Sequence, residues 1–266
     1  MENAHTTMPY TGETLDVNTT LQRLHKAATD HGFTCEPLVE QAGTIIPLFS
    51  KAADRPNPPR VYISTGMHGD EPAGPLCVLD MLEREQFSQE IDWTIFPMMN
   101  PAGLRLNQRE NHKGVDLNRD YSAPETKEVR AHVAYIENSE PWDLALMLHE
   151  DWESDGFYLY DKFTDLTEDW AKTIIESVGR VCPIDLNDTI DEMSASDGVI
   201  SPKNIDVNED PKLKGRFPEA IYLHLSGKTG GTYTFEAPSA FDLPTRIEAL
   251  QTAISSSVEL MKKHNA

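Results

Sequence analysis

The chain has 266 residues, 39% of them hydrophobic and 25% charged, which excludes a disordered protein and allows a single α/β domain over residues 1–266. The formal net charge of -21 disfavours nucleic acids and anionic membranes as partners, because both are themselves negatively charged. Three widely spaced cysteines, no readable signal peptide and no long apolar run are what we expect of a soluble cytoplasmic protein. The sequence leaves the oligomeric state open.

Hydrophobic periodicity predicts helices that alternate with strands. Residues 17–31, for example, place Leu21, Leu24 and Ala28 on one helical face, and Gly32 ends that helix. The predicted elements are, in chain order, helix 17–31, strands 43–49 and 61–65, helix 76–84, strand 93–99, helix 125–138, strands 144–149 and 157–160, helix 167–178, strands 220–225 and 232–236, and helix 246–263. This alternation is typical of an α/β fold whose mixed, mostly parallel central sheet carries helices on both faces.

Polar side chains stand at the carboxyl ends of four of these strands. His68 and Glu71 follow the second strand, Asn100 follows the third, His149 ends the fourth and Glu236 ends the last. Ligands of α/β sheets bind beyond the carboxyl ends of the strands. We therefore expect these residues to meet at one edge of the sheet.

One long stretch, residues 183–218, has little predicted structure and is acidic and polar. Loops of this length are often functional or disordered. The stretch could shape the site or be surface decoration, and the sequence favours neither.

His68 and Glu71 lie three residues apart in the sequence His-Gly-Asp-Glu, a spacing that projects both side chains to one side of a turn. Two such ligands, a third from elsewhere in the chain and one open position are how catalytic zinc is held. His149, at the end of an apolar strand, is the candidate third ligand. The alternatives are a surface histidine beside a solvated Glu71, and a half-buried, hydrogen-bonded His149.

An acidic run follows His149. Glu150, Asp151 and Glu153 could hold a second metal ion, or they could form a solvated acidic loop. We expect one zinc ion and do not exclude a second.

Four further motifs occur in a fixed order: NPAG at 100–103, RxN at 109–111, GVDLNR at 114–119 and TFE at 234–236. Together with HGDE and the later His149, this order resembles the zinc metallocarboxypeptidases of the carboxypeptidase A type. The resemblance covers residues 60–240. Within the family, the sequence looks more like the bacterial branch that cuts small or cell-wall (murein) peptides. Succinylglutamate desuccinylases and aspartoacylases are related to that family. The resemblance implies a zinc carboxypeptidase-like fold, with His68, Glu71 and His149 as zinc ligands.

The resemblance also implies roles for five other residues. Arg109 matches the arginine that stabilises the oxyanion, and Asn118 and Arg119 match the pair that binds the terminal carboxylate of the substrate. Asp116 matches the acid that orients the first histidine ligand, and Glu236 matches the glutamate that activates the attacking water. General chemistry agrees, since a guanidinium stays cationic and binds carboxylates bidentately. Each arginine could instead form a surface ion pair, and Glu236 could be an acid facing water on an edge strand.

The sequence departs from the family pattern at three positions. Ala102 replaces a usual Asp, Asp120 follows the Asn-Arg pair where Asn is frequent, and Asp70 replaces the Arg of digestive enzymes. A catalytic tyrosine cannot be aligned. Tyr222 and Tyr233 are candidates for it, although core packing explains either one better.

Three hypotheses follow for the function. The first is a zinc metallocarboxypeptidase that hydrolyses a C-terminal peptide bond, with murein-type peptides as one substrate class. The second is an N-acyl amino acid deacylase of the aspartoacylase and succinylglutamate desuccinylase type. The third is a catalytically silent binding protein with the same fold, for which a missing ligand or base would be the signature. The implied partner is accordingly a peptide or an acyl-amino acid.

Overall fold

The computed structural model describes residues 14–162, 170–201 and 213–264. Its helices are α1 (Val17–Asp30), α2 (Ala73–Glu83), α3 (Pro101–Leu106), α4 (Lys127–Asn138), α5 (Trp170–Val178), α6 (Glu219–Leu225) and α7 (Leu243–His264), with one 3-10 turn at Leu117–Arg119. Its strands are β1 (Thr34–Gln41), β2 (Thr44–Lys51), β3 (Arg60–Thr65), β4 (Asp92–Phe96), β5 (Leu144–Asp151), β6 (Tyr158–Lys162), β7 (Thr189–Ile190), β8 (Met193–Ser194), β9 (Val199–Ile200) and β10 (Thr232–Pro238). None of the helices in these ranges has the length and apolarity needed to cross a bilayer.

Eight strands form one sheet in the order β1-β2-β4-β3-β5-β10-β6-β9. The central strands β4, β3, β5 and β10 are parallel, whereas β2 and β6 pair with this centre in antiparallel orientation. The predicted mixed, mostly parallel sheet is confirmed. Because β3, β5 and β10 run in the same direction, the residues that follow or end them lie at one edge of the sheet.

Alternate side chains of the central strands enter two separate cores. On β5, Leu144, Leu146 and Leu148 pack with helices α1, α2, α5 and α7, whereas Ala145 and Met147 pack with α4 and α6 on the other face. Each of the three leucines is at most 1% exposed and contributes about 2 kcal/mol through burial. The continuous apolar run of β5 therefore reflects a strand covered on both faces.

The prediction of a strand at 220–225 is wrong, because this segment is helix α6. Isoleucine, tyrosine and leucine favour strands locally, but the amides of Ile221 and Tyr222 donate to the carbonyl of Pro218 and start a helix. Ala220 and Leu223 are then buried against the α4 side of the sheet. Tertiary packing overrides the intrinsic preference of the segment.

Two other elements differ from the prediction. Strand β1 was missed because its residues alternate poorly and are mostly exposed or half-buried. The sequence Asn-Pro-Ala-Gly, for which no helix was predicted, begins helix α3, with the Asn100 side chain accepting from the Gly103 amide at 3.0 Å. The first three residues of predicted helix 167–178 lie outside the described residues.

Candidate metal centre

The fold brings together His68, Glu71 and His149. His68 and Glu71 lie in the turn between β3 and α2, and His149 lies in β5, the neighbour of β3. All three are at most 5% exposed, and one ligand atom from each lies within 4.8 Å of the others. Nδ1 of His68 is 2.5 Å from Oε1 of Glu71, and Nδ1 of His149 is 2.8 Å from Oε2. In the described part of the chain, this is the one group of such residues close enough to hold a metal ion.

The donor chemistry of this group fits a divalent cation. Two imidazoles and a carboxylate, converging with no apolar side chain between them, are the protein ligands of one class of catalytic zinc site. Behind His68, its Nε2 atom lies 3.3 Å from Oδ1 of Asp116, the arrangement that fixes a ligating histidine through its second nitrogen. The residues present therefore fit zinc, and the carboxylate nearest to Nε2 of His68 is that of Asp116.

Neighbouring charges shift the pKa values of the groups at this centre. Burial alone would raise the pKa of Glu71, but the imidazoles of His68 and His149 hold it well below its usual range. Burial likewise lowers the pKa of His68, but Glu71 and Asp116 outweigh burial and raise it to about 8. Glu71 is accordingly a buried carboxylate in its ionised form, as a metal ligand must be.

Two motif glycines allow the ligand turn to sit against helix α3. A Cβ added to Gly69 would lie 2.0 Å from the carbonyl carbon of Gly103, and one added to Gly103 would lie 2.4 Å from Nδ2 of Asn100. The backbone amide of Gly69 and Nδ2 of Asn100 both donate to the Arg109 carbonyl at 3.3 Å. Backbone contact between HGDE and NPAG thus fixes the position of Arg109.

The Arg109 side chain extends beside the metal ligands. Its Nε donates to Oδ2 of Asp116 at 3.0 Å, and its Nη1 lies 3.8 Å from Oε1 of Glu71. Burial lowers the pKa of Arg109, but Asp116 and Glu71 raise it above its ordinary value. The side chain is 40% exposed, so the guanidinium is held next to the centre and is open to the cavity.

Asn118 and Arg119 lie in the 3-10 turn that the Asp116 side chain caps through the Asn118 amide at 2.9 Å. Oδ1 of Asn118 accepts the backbone amide of Glu219, the first residue of α6, at 3.0 Å. The Nδ2 group is therefore the half of the Asn118 amide left to donate. Both Asn118 and Arg119 line the same cavity as the metal ligands.

Glu236 lies on β10, where it is the register partner of His149 on β5. The strand is interior, between β5 and β6, so the alternative of an acid on an edge strand is wrong. Burial raises the pKa of Glu236 to about 8, with His149 opposing this shift and Glu71 and Asp151 adding to it. The structure thus places this carboxyl group, half-buried, on the wall of the cavity beside His149.

The cavity has a volume of about 1220 Å³. One wall is formed by residues of the stretch 183–218, for which the sequence left two roles open. Asp185, Ile190, Asp191 and Met193 line the cavity together with neighbouring residues, so this part of the stretch shapes the site. Residues 202–212 of the stretch lie outside the described residues.

Sequence reasoning missed two tyrosines that line the cavity. Tyr158 on β6 is the antiparallel register partner of Glu236, and Tyr160 is that of Thr234, so all four side chains share one face. The hydroxyl of Tyr158 donates to Asp151 at 2.9 Å. The alternation Tyr-Leu-Tyr in a predicted strand indicates that both tyrosines share one face of that strand. The sequence does not show that this strand pairs with β10, which is what places the tyrosines beside Glu236.

The two tyrosines named from the sequence lie elsewhere. Tyr233 is 1% exposed and stacks on Phe235 in the core. Tyr222 donates to Glu137 at 3.1 Å, and neither side chain lines the cavity. Core packing is therefore the correct alternative for Tyr233.

The comparisons with known proteins agree with the resemblance drawn from the motifs. Residues 57–177 match the model of the succinylglutamate desuccinylase/aspartoacylase catalytic domain. That range contains His68, Glu71, His149 and Arg119, whereas Glu236 lies beyond it. Among curated proteins, none matches this chain.

Solved structures share the fold over most of the chain. A candidate metallopeptidase from Shewanella amazonensis SB2B is 22% identical, with a TM-score of 0.79, over 92% of this chain and 93% of that one. A metallo-carboxypeptidase from Burkholderia cenocepacia is 16% identical, with a TM-score of 0.69, over 96% of this chain and 70% of that one. A variant of the cell shape determinant protein Csd4 from Helicobacter pylori is 18% identical, with a TM-score of 0.57, over 81% and 55%. The fold is the zinc carboxypeptidase-like α/β fold of these structures.

Proposed function

We propose that the protein is a zinc-dependent metallocarboxypeptidase, a hydrolase that releases a C-terminal residue by cleaving a peptide bond. The observation that carries this proposal is the buried group of His68, Glu71 and His149 with Glu236 beside it in one cavity. The match to a hydrolase catalytic domain over residues 57–177 supports the same reaction class. The third hypothesis, a silent binding protein, loses support because no ligand and no base is missing.

Hydrolysis of an amide requires a nucleophile, a proton acceptor and a fixed positive charge. When bound at His68, Glu71 and His149, a zinc ion would supply a Lewis acid that lowers the pKa of a coordinated water to about 7. Glu236 accepts a proton from the attacking water as the water oxygen bonds to the carbonyl carbon. It then delivers this proton to the nitrogen as the carbon–nitrogen bond breaks, which releases a carboxyl group and an amine. A cation beside Glu236 favours its ionised form, since opposite charge lowers the pKa of a carboxyl group.

The arginines bind the negative charges of the reaction. Arg109, held by Asp116 and half-open to the cavity, donates to the carbonyl oxygen as negative charge develops on it. Asn118 and Arg119 hold the terminal carboxylate of the substrate, because the amide Nδ2 and the guanidinium are both donors. A free carboxylate at that end is what distinguishes a carboxypeptidase substrate from an internal peptide bond.

The size of the cavity favours a peptide over an N-acyl amino acid. Its volume of about 1220 Å³ exceeds the roughly 300–1000 Å³ of ordinary small-molecule sites. Residues between 185 and 194 line this cavity together with Arg109 and Arg119, and we propose that an extended substrate occupies it. Murein-type peptides are one such class. The family match over residues 57–177 keeps a deacylase as the second candidate.

Elemental analysis together with a substrate panel tests the proposal. We expect about one zinc per chain and cleavage of dipeptides or γ-glutamyl-diaminopimelate peptides. Glu236→Gln should keep the zinc but lower kcat by at least about 100-fold, because that is the usual contribution of a general base. Glu248→Gln, an exposed acid on α7 that does not line the cavity, is the matched control. Full activity of Glu236→Gln would overturn the assignment, and hydrolysis confined to N-acyl amino acids would favour the deacylase.

A further inference from the structure

Glu150 immediately follows the candidate ligand His149 and is among the residues that line the cavity, and its carboxylate contacts α2 and α7. Its side chain is fully buried, and Glu150 as a whole is 5% exposed. The sequence suggested Glu150 as part of a solvated acidic loop or a second metal site. Its contacts instead connect β5 with α2 and α7.

The two carboxylate oxygens of Glu150 have different partners. Oε1 accepts the backbone amide of Ala73, the first residue of α2, at 2.6 Å. Oε2 forms an ion pair with Nη1 of Arg246 in α7. Ala73 lies two residues after the ligand Glu71, so one carboxylate joins the segment of His149 to the segment of Glu71.

The backbone geometry gives this contact a direct path to the ligands. Nδ1 of His149 and Oε2 of Glu71 are 2.8 Å apart, and Glu150 and Ala73 lie one and two residues beyond them. A Cβ added to Gly74 would lie 3.3 Å from the Leu148 carbonyl, so the start of α2 rests closely against this end of β5. Any movement of the Glu150 carboxylate is therefore transmitted to the separation of the two ligands.

We propose that Glu150, held by Arg246, is a positioning residue that sets the distance between Glu71 and His149 for metal binding. This inference rests on the proposed function, since it assumes that the centre holds zinc. A purely structural role is the competing explanation. The two roles predict different results. Replacing a buried ion pair by apolar residues is often neutral or stabilising for the fold. The same replacement removes the acceptor of the Ala73 amide, so a positioning role predicts weaker zinc binding without a matching loss of stability.

Zinc affinity and fold stability can be measured separately on the full chain. The variants are Glu150→Gln and the double replacement of Glu150→Leu with Arg246→Met, which leaves no unpaired buried charge. The zinc Kd is measured by competition with a chromophoric chelator, and urea unfolding of the zinc-free protein gives its stability. Ile254→Ala, a fully buried core position on α7 that does not line the cavity, is the matched destabilised control.

We expect the double variant to bind zinc about 10–100-fold more weakly than the wild type, the usual effect of losing a partner just outside the ligands. Glu150→Gln keeps an amide oxygen that accepts from Ala73, so its loss of zinc affinity should be smaller. Ile254→Ala should keep the wild-type zinc Kd despite its lower unfolding midpoint. Unchanged zinc affinity in the double variant, or an equal loss in Ile254→Ala, would overturn the inference while wild-type zinc binding still supports the proposed function. A wild-type protein that binds no zinc would overturn both.

Discussion

His132 is expected to make the stability of this protein strongly dependent on pH. The side chain lies on α4, is fully buried, and stands between two phenols, with the Tyr62 hydroxyl 2.7 Å from Nε2 and the Tyr121 hydroxyl 2.7 Å from Nδ1. Burial lowers its pKa to about 3. His132 is therefore neutral in the folded protein at every pH at which the protein is handled.

The magnitude follows from the difference between the folded and unfolded pKa values. In the unfolded chain His132 gains a proton below pH 6.5, whereas in the folded chain it stays neutral down to about pH 3. The contribution is fully present above pH 6.5 and is lost as the pH falls toward 3, at about 1.4 kcal/mol per pH unit. At pH 5 the loss is about 2 kcal/mol, a large part of the stability of an ordinary domain.

Urea unfolding at pH 7.5 and pH 5 tests this reasoning with His132→Phe, which keeps an aromatic ring at this position and removes the titrating group. The variant is expected to be less stable at both pH values, since the Tyr121 hydroxyl loses its partner. Its loss of stability between the two pH values should nevertheless be about 2 kcal/mol smaller than that of the wild type. His25→Gln, an exposed position on α1, should behave as the wild type. Equal losses in wild type and His132→Phe would refute the reasoning.

Three further predictions concern the metal centre. Gly69→Ala places a methyl group 2.0 Å from the Gly103 carbonyl carbon, so we expect a loss of about 1–3 kcal/mol in urea unfolding; an unchanged midpoint would contradict the contact. Asp116→Asn removes the charge facing His68 and Arg109 and should raise the zinc Kd about 10–100-fold in chelator competition; an unaltered Kd would show that Asp116 does not orient His68. When the free zinc concentration is 1000 times the zinc Kd, removing the zinc should lower the free energy of unfolding by about 4 kcal/mol. Identical melting with and without chelator would count against a zinc site.

Much of the fold was readable because it depends on local patterns. The apolar run at 144–149 predicted a strand, and β5 forms there. The carboxyl ends of parallel strands share one edge, which was enough to predict that His68, Glu71 and His149 would converge. The order of the motifs added the expected neighbours Asp116 and Glu236.

The errors lie where a local preference competes with packing. The residues of α6 favour a strand by composition, yet the helix forms because Pro218 accepts the first amides and its apolar side is covered. Strand β1 lacks a clear alternation and is held by its pairing with β2. The side chains that cover α6 come from residues distant in sequence, whereas β1 depends on its pairing with the next strand in the chain.

What the sequence determined by itself was the set of elements with strong periodicity, the strand ends and the candidate ligands, because each depends on neighbours along the chain. Tertiary structure alone decided which strands pair, and so which side chains surround the centre. Tyr158 faces the cavity because β6 pairs with β10, and Glu150 binds Ala73 and Arg246 because β5, α2 and α7 meet there. Such contacts join residues up to 96 positions apart, and no local pattern specifies them.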